Sequence, residues 1–440
     1  MFIPEYVKKC LDRLENAGFS AYIVGGCVRD ACLGITPQDY DMCTSALPEQ
    51  TEALFSDHHL VLAGKKHGTV GVVTDGGVVE ITTFRTEGGY ADNRHPEWVE
   101  FVPNVEDDLA RRDFTVNAMA YSPVRGFADP FDGQSDLEHK ILRAVGNPDA
   151  RFQEDSLRIL RGVRFAVKYH LTPEEETLAA MFRRRNLMDN LARERIFEEL
   201  SKLLPLVNSE DLLCFAPVIT AVIPELEPTI GYDQRNPNHA YDLYKHIACV
   251  TAATAPLLHL RWAGLLHDVG KIACFSMGDD GIGHFYGHDK MGAAMADTIL
   301  SRLKAPTALR ERVVQLIGLH MTRIPPERKT VRRWMSRLGY KTLADLLTFQ
   351  LCDTGSKGTS NAAELQRVTQ IRQLMADIQS EDACLSLKDL AVNGNDLIRL
   401  GFSGKEIGKC LSALLDGILD ERLPNDRTAL LQEAEKILSK

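Results

Sequence analysis

The sequence predicts an α+β fold, mixed over residues 1 to about 140 and mainly helical beyond about 150. β-Branched or alternating runs at Ala21–Val24, Leu60–Val79 and Val99–Val102 are confined to the first part. Apolar residues at helical spacing dominate the second. With 440 residues, 44% of them hydrophobic, the chain can bury substantial cores. Its length predicts about two to four domains.

In chain order, a first helix is expected near Pro4 to Ala17, then a strand ending at Gly25 and a helix from Val28 to Leu33. Gly25 and Gly26 let backbone approach a bulky anion, and the helix-start amides with Arg29 could hold a phosphate. A purely structural Gly-Gly turn stays open as the commoner reading. With Tyr40 in a strand, Asp39 and Asp41 project together while the Tyr40 ring faces the other way. Two close carboxylates repel unless neutralised, and Mg²⁺ prefers a few carboxylates together with phosphates and water. A solvated acidic turn is the alternative. Glu80, in the alternating run Val78–Arg85, could complete the metal site from a partner strand.

The polar stretch between Glu87 and Glu97 lacks periodicity and is expected to be a mobile loop. Arg111, Arg112 and Asp113 suit a phosphate and a sugar, since guanidinium forks match phosphate oxygens and a carboxylate accepts from ribose hydroxyls. A surface basic pair remains the alternative. Asp129, Gly133 and Asp136 read as an ordinary αβ connection. A helix is expected over Phe152–Phe165, with Asp155 and Arg158 neighbours on one face. Such a pair is either an intrahelical ion pair or a template that sets an acceptor beside a donor. The amino group and adjacent ring nitrogen of cytosine and adenine match it; guanine and uracil would leave buried groups unpaired, at about 1–3 kcal/mol each. Pro224 to Pro237 is the best linker, and short strands are possible near Cys274 to Phe285.

No run of about eighteen apolar residues occurs and no signal-peptide pattern opens the chain, so a soluble intracellular protein is expected. Ten cysteines without a CxxC fit reduced thiols in a cytoplasm. The net charge of −10 argues against a wholly basic nucleic-acid surface but allows local patches.

Gly25-Gly26 through Arg29-Asp30, Asp39-x-Asp41, Glu80 before Thr82–Arg85, Arg111-Arg112-Asp113, Glu154-Asp155-x-x-Arg158 and Arg193-Glu194-Arg195-Ile196 stand in an order that resembles the bacterial class II tRNA nucleotidyltransferases. These are the CCA-adding enzymes and their poly(A) polymerase relatives. The resemblance spans roughly residues 20–200 and implies a nucleotidyltransferase-β-like head followed by helical neck, body and tail. It implies metal ions at Asp39 and Asp41 with Glu80 as third catalytic carboxylate. It also implies a nucleotide-binding set of Gly25, Gly26, Arg29, Arg111, Arg112, Asp113, Asn117, Asp155, Arg158 and Arg161. Asp155 and Arg158 would be the template for CTP or ATP. The stretch from Glu87 to Glu97 would help switch the site from C to A, which disfavours a CC-only enzyme.

Downstream, His246, the pair His267-Asp268 at the end of an apolar helix, and Asp353 resemble the HD phosphohydrolase superfamily, with His288 and His320 where two-metal members carry extra ligands. This resemblance implies a second divalent-metal site with phosphatase or phosphodiesterase activity, on 2′,3′-cyclic or terminal phosphates. Alternatively, that fold chiefly supports tRNA. His239, His259 and His284 read as structural or exposed.

The expected domains are a head at 1–140, a neck with the nucleobase-selecting helix at 141–225, an HD-type helical domain at 226–360 and a helical tRNA-binding tail at 361–440. Arg158, Arg161 and Arg164, and Arg183–Arg185, could track a tRNA acceptor arm. For the second group, a solvated helix face is an equal reading. Glycines of the tail, from Gly394 to Gly408, would approach RNA phosphates. The expected activity is CCA addition to tRNA from CTP and ATP. An A-adding enzyme or poly(A) polymerase, an HD phosphohydrolase with an inactive head, and a catalytically dead RNA-binding protein are the alternatives.

Overall fold

The computed structural model describes residues 1–88, 98–358, 362–381 and 383–439. Two compact units are formed, one by Met1–Glu227 with Ser301–Ala305 and the other by Pro228–Leu300 with Pro306–Lys440.

The first unit starts with helix α1 (Glu5–Asn16) and strand β1 (Ala21–Val24). There follow α2 (Gly26–Cys32), β2 (Asp41–Thr44), α3 (Pro48–Leu54), β3 (His59–Val61), β4 (Thr69–Thr74) and β5 (Gly77–Thr83). A hairpin of β6 (Arg85–Gly88) and β7 (Trp98–Phe101), helix α4 (Val105–Ala110), strands β8 (Ala120–Ser122) and β9 (Gly126–Ala128), and α5 (Gly133–Glu138) complete the mixed region. Seven strands form one sheet in the order β3-β4-β5-β2-β1-β8-β9. β2 and β5 run parallel, which sets Asp41 opposite Glu80. Period-two burial marks β5, where Val79, Ile81 and Thr83 are buried and Glu80 is open, whereas in the central strand β2 Met42 and Cys43 are both fully buried and Asp41 at its start is open to solvent.

Three details depart from expectation. Tyr40 precedes β2 instead of lying in it, yet its ring is buried between two exposed aspartates, so the alternation persists. Glu87 and Gly88 belong to a strand, because Glu87 pairs with Val99 in the β6–β7 ladder; the rest of the expected loop lies outside the described residues. The helix expected over Phe152–Phe165 is two helices, α6 (Pro148–Glu154) and α7 (Leu157–Tyr169). Asp155 between them is extended, and its Oδ1 accepts from the Leu157 amide at 3.0 Å. A short polar side chain that bonds its own backbone competes with the helix at that point.

After strands β10 (Ile141–Leu142) and β11 (Thr172–Pro173), helices α8 (Glu175–Arg184), α9 (Arg193–Leu203), α10 (Ser209–Cys214) and α11 (Ala216–Val222) complete the unit, with α7 packed on α9 and α6 on α8. Gly162 lets α7 sit against Phe114, since a Cβ there would lie 2.8 Å from that ring.

In the second unit α12 (Leu243–Ala253), α13 (Leu258–Leu266), α15 (Thr307–Leu319) and α17 (Tyr340–Gly355) pack on one another, with the small hairpin β12 (Ser276–Met277) and β13 (Gly283–His284) and with α14 (His288–Arg302) following α13 in the chain. Helices α16 (Arg328–Leu338) and α18 (Ala362–Ser380) follow. Then α19 (Gly394–Leu400), α20 (Lys405–Leu419) and α21 (Arg427–Leu438) enclose a core around Leu397, Leu414 and Leu430. No described helix is long and apolar enough to cross a membrane. All ten cysteines are free.

Candidate functional site

The head site is organised by the β1–α2 turn and the β2–β5 pair. Gly25 has φ 76°, and a Cβ there would lie 2.8 Å from Arg112 Nη1, so a larger residue would collide with that guanidinium. Asp39, Asp41 and Glu80 are all exposed. Although the surface of Asp41 is open, crowding by neighbouring atoms raises its carboxyl above the usual range; the charges of Glu80 and Asp39 add to this and Arg112 opposes it. Facing like charges of this kind fit a hard divalent cation. The three carboxylates do not gather as tightly as the triplets of ligand atoms described below.

Arg112 is the least committed guanidinium beside the acids. Its Nη2 donates to Asp108 at 3.3 Å, and its buried Nε has no hydrogen-bond partner. Arg111 is bound to Asp108 through two nitrogens, at 3.0 and 2.8 Å, and reaches Glu87 at 3.3 Å.

Arg29 does not stand free beside a phosphate. Its buried guanidinium donates to Asp30, Asn117 and the Tyr169 hydroxyl, and it lies 4.2 Å from the Tyr169 ring centroid. It therefore ties α2 to α7. Asn117 is taken up in the same network, accepting from Arg29 and donating to Asp113 at 3.0 Å. Asp113 is buried and accepts two bonds from Arg161, at 2.9 and 2.7 Å, instead of lying open to a sugar. Burial alone would raise its pKa, but Arg161, Asn117 and Arg158 outweigh it and hold the carboxyl well below the usual range.

The alternative reading of Asp155 and Arg158 as an intrahelical ion pair does not hold. The helix break turns Asp155 toward Arg195, whose Nη2 is 3.2 Å from Asp155 Oδ2, while Arg158 donates to Glu154 at 2.6 Å and to the Arg111 carbonyl at 3.0 Å. Arg195 holds Asp155, and the bond to the Arg111 carbonyl joins Arg158 to the segment that carries Arg112. Arg195 Nη1 is buried without a partner.

The proposed basic tracks are largely neutralised. Arg161 pairs with Asp113, Arg164 with Glu199 at 2.6 Å, and both Arg183 and Arg184 with Asp149. Arg185 donates to the Phe182 carbonyl.

In the second unit, four histidine Nε2 atoms converge on two buried carboxylates. His246 Nε2 lies 3.1 Å from Asp353 and 3.3 Å from Asp268; His267 Nε2 is 3.1 Å from Asp268, His288 Nε2 3.4 Å and His320 Nε2 3.9 Å. Each Nδ1 faces a backbone carbonyl, of Ser356, Gly264, Phe285 and Ile317 respectively. Such second contacts fix ring orientation in metal-binding histidines. Two triplets have ligand atoms within 4.8 Å of one another, His246/His267/Asp268 and Asp268/His288/His320, sharing Asp268. Asp268 Oδ2 also lies 2.8 Å from Lys271 Nζ, while the buried His288 Nε2 has no hydrogen bond. Mixed nitrogen and carboxylate donors suit a transition-metal ion better than Mg²⁺.

A cavity of about 190 Å³ adjoins this cluster. Sequence reasoning set aside two residues on its wall, His239 and His284, and gave no role to Lys271 and Lys357. Lys357, one helical turn after Asp353, offered a signal: it is 3.0 Å from that carboxylate. His239 is lowered to about 3 by burial and by the charge of Lys271. His259 is structural, bound to Asp345 at 2.8 Å.

Facing acids on the adjacent central strands β2 and β5, beside an incompletely bonded arginine, define the head of a metal-dependent nucleotidyltransferase. Residues 21–143 match the poly(A) polymerase head domain, 170–227 the probable RNA- and SrmB-binding site of polymerase A, and 288–434 the putative tRNA nucleotidyltransferase domain 2. The CCA-adding enzyme of Streptococcus thermophilus is 31% identical over 437 residues, 98% of this chain and 97% of that protein. The crystal structure of the Bacillus stearothermophilus CCA-adding enzyme in complex with CTP superposes with TM-score 0.72 at 25% identity, covering 100% of this chain and 98% of that one. The Thermotoga maritima CCA-adding enzyme complexed with tRNA, 20% identical with TM-score 0.60 and covering 99% and 96% of the two chains, shares the fold. The chain belongs to the CCA-adding enzyme family.

Proposed function

We propose that this protein adds or repairs the 3′-terminal CCA of tRNA, taking CTP and ATP as substrates without a nucleic-acid template. The observation that carries the reading is the Asp41–Glu80 register across β2 and β5, beside the partly unpaired Arg112. Membership of the family over nearly the whole chain supports it.

Asp39, Asp41 and Glu80 would hold Mg²⁺. When bound, that metal neutralises phosphate oxygens and eases ionisation of the attacking hydroxyl. The tRNA 3′-hydroxyl oxygen attacks the α-phosphorus in line, and the bond to pyrophosphate breaks. Arg112 would neutralise the triphosphate, with Arg111 steadied behind it by Asp108. In the neck, Asp155 supplies the acceptor and Arg158 the donor that suit cytosine and adenine, with Arg195 holding Asp155 in place. Arg29, Asn117, Asp113 and Arg161 position these groups from below. A division into head 1–140, neck 141–225, HD-type domain 226–360 and tRNA-binding tail 361–440 fits this scheme. The ten free thiols favour the cytoplasm.

The convergent histidines favour a second reading alongside the first: a phosphohydrolase site in residues 226–360. A metal bound by His246, His267, Asp268, His288, His320 and Asp353 would supply an activated water. The water oxygen joins phosphorus, the ester P–O bond breaks, and the leaving oxygen takes a proton. Lys271 and Lys357 on the cavity wall, 2.8 and 3.0 Å from Asp268 and Asp353, offset the charge of those carboxylates.

Incubating tRNA that lacks its CCA with each NTP tests the main reading. CTP then ATP incorporation supports it; ATP alone indicates an A-adding enzyme or poly(A) polymerase. Asp41→Ala should abolish incorporation and spare phosphate-ester hydrolysis, and Asp268→Ala should do the reverse.

A further inference from the structure

Helix α16 carries five cations in 11 residues. Four are engaged by carboxylates: Arg328 and Arg332 by Glu421, at 2.9 and 3.5 Å, and Lys329 and Arg333 by Asp420, at 3.4 and 2.7 Å. These ion pairs fasten α16 to the end of α20. The fifth, Arg337, meets no carboxylate among the described residues, and its guanidinium carbon lies 5.3 Å from the ring centroid of Trp334, one turn earlier. Trp334 is half-buried, and its indole N–H has no hydrogen-bond partner among the described residues. Both side chains line a groove of about 400 Å³ between α16 and α20, with Leu419 as its apolar wall. Asp416 ends this groove and begins an adjoining hollow that carries Lys405 and Lys409, four residues apart on the exposed face of α20. Asp416, Lys405 and Lys409 have no ionic partner among the described residues.

In a chain of net charge −10 whose arginines are largely neutralised, these cations stay free for a ligand. A half-exposed indole backed by a guanidinium is a surface on which a flat ring stacks. Arg337, Lys405 and Lys409 suit phosphates, and the Asp416 carboxylate between them accepts from a sugar hydroxyl while repelling an acidic peptide. Base, phosphate and ribose hydroxyl together describe RNA. We propose that the α16–α20 groove holds an unpaired nucleotide of the tRNA, with Trp334 as the platform for its base and Arg337, Lys405 and Lys409 taking the flanking phosphates. The proposal rests on the CCA-adding reading. Bases of a tRNA stand unpaired in its loops and at its 3′ end, and the 3′ end is the substrate of the acids in the first unit. The nucleotide held by Trp334 therefore belongs to a loop. Stacking tolerates any base, so one groove serves tRNAs of different sequence.

Filter binding of a tRNA lacking its CCA to the full chain, at several KCl concentrations, tests this alongside steady-state CTP incorporation. Trp334→Ala should raise the tRNA Kd about tenfold or more, in line with the loss of one stacked base, and Trp334→Phe should restore it. The effect should be confined to tRNA affinity: kcat at saturating tRNA, the KM for CTP and the binding of a hairpin that reproduces only the acceptor stem should not move. Arg337→Ala and Lys409→Ala should each lower the slope of log K against log salt by about one. Equal weakening of tRNA and hairpin by Trp334→Ala would show a structural loss and overturn the platform. No weakening of either would overturn it too and leave the groove to a protein partner. Binding of tRNA that needs Trp334 but yields no incorporation with any NTP would overturn the CCA-adding reading and keep the platform.

Discussion

Asp155 accepts a hydrogen bond from Arg195, 40 positions further along the chain, and leaves Arg158 to Glu154. The acceptor and donor proposed to read the base are thus held from two sides, not by each other. Asp155→Ala removes the acceptor and should narrow the preference for CTP and ATP over UTP and GTP by roughly 10- to 100-fold, equivalent to about 1–3 kcal/mol. Arg195→Ala should act in the same direction with a smaller effect. Single-nucleotide kcat/KM values with each NTP measure both; unchanged discrimination in Asp155→Ala would remove it from base selection.

Asp41 carries a raised pKa because crowding, Glu80 and Asp39 all disfavour its charge. A carboxyl with a raised folded-state pKa binds more protons folded than unfolded, so it weakens stability as pH rises from its unfolded value through the folded one. Asp41→Asn should therefore lower incorporation by at least about a thousandfold, yet leave Tm at neutral pH unchanged or higher. A large fall in Tm would show that Asp41 holds the fold together.

Asp113 behaves in the opposite way. Its folded pKa is depressed by Arg161 and Asn117 against burial. The stability it contributes is complete above the unfolded carboxylate value near 4 and fades as pH falls below it. Asp113→Asn should cost about 1–3 kcal/mol at pH 7, since it weakens a charge-assisted pair to a partly exposed arginine. The penalty should shrink toward acid in denaturant titrations at several pH values. A penalty constant with pH would contradict the assignment.

Arg29 is a buried tie between α2 and α7. Arg29→Ala leaves Asp30, Asn117 and Tyr169 without their shared donor and should destabilise the chain by about 3 kcal/mol. For the fraction that stays folded, KM for CTP should change less than in Arg112→Ala. A pure KM effect without loss of stability would restore Arg29 to the triphosphate.

The histidine cluster should bind a transition metal whose removal by chelation lowers the thermal stability of the intact chain, because four buried ring nitrogens and two carboxylates lose their common partner. His267→Ala should reduce metal content measured by elemental analysis and spare CCA addition. Full metal content in that variant would displace the site from His267.

Much of the head was legible because it depends on short-range periodicity: alternation brought out the strands and put Asp39 and Asp41 on one side of Tyr40. His267 and Asp268 were legible because they end one apolar helix, and the resemblance to the HD phosphohydrolases added His246, His288, His320 and Asp353. What stayed hidden depends on partners far apart in the chain. Arg161 reads as a free cation until Asp113 appears beside it, and Arg29 until Asn117 and Tyr169 close around it. The break at Asp155 was hidden because Leu157, Leu160 and Val163 after it and the acidic residues at its start fit one continuous helix.

The most direct measurement is stepwise extension of a tRNA ending before CCA, with CTP, ATP, GTP and UTP supplied singly and together. Two cytidines followed by one adenosine should be added, and neither guanosine nor uridine. Extension by adenosine alone, or none at all, would contradict the account.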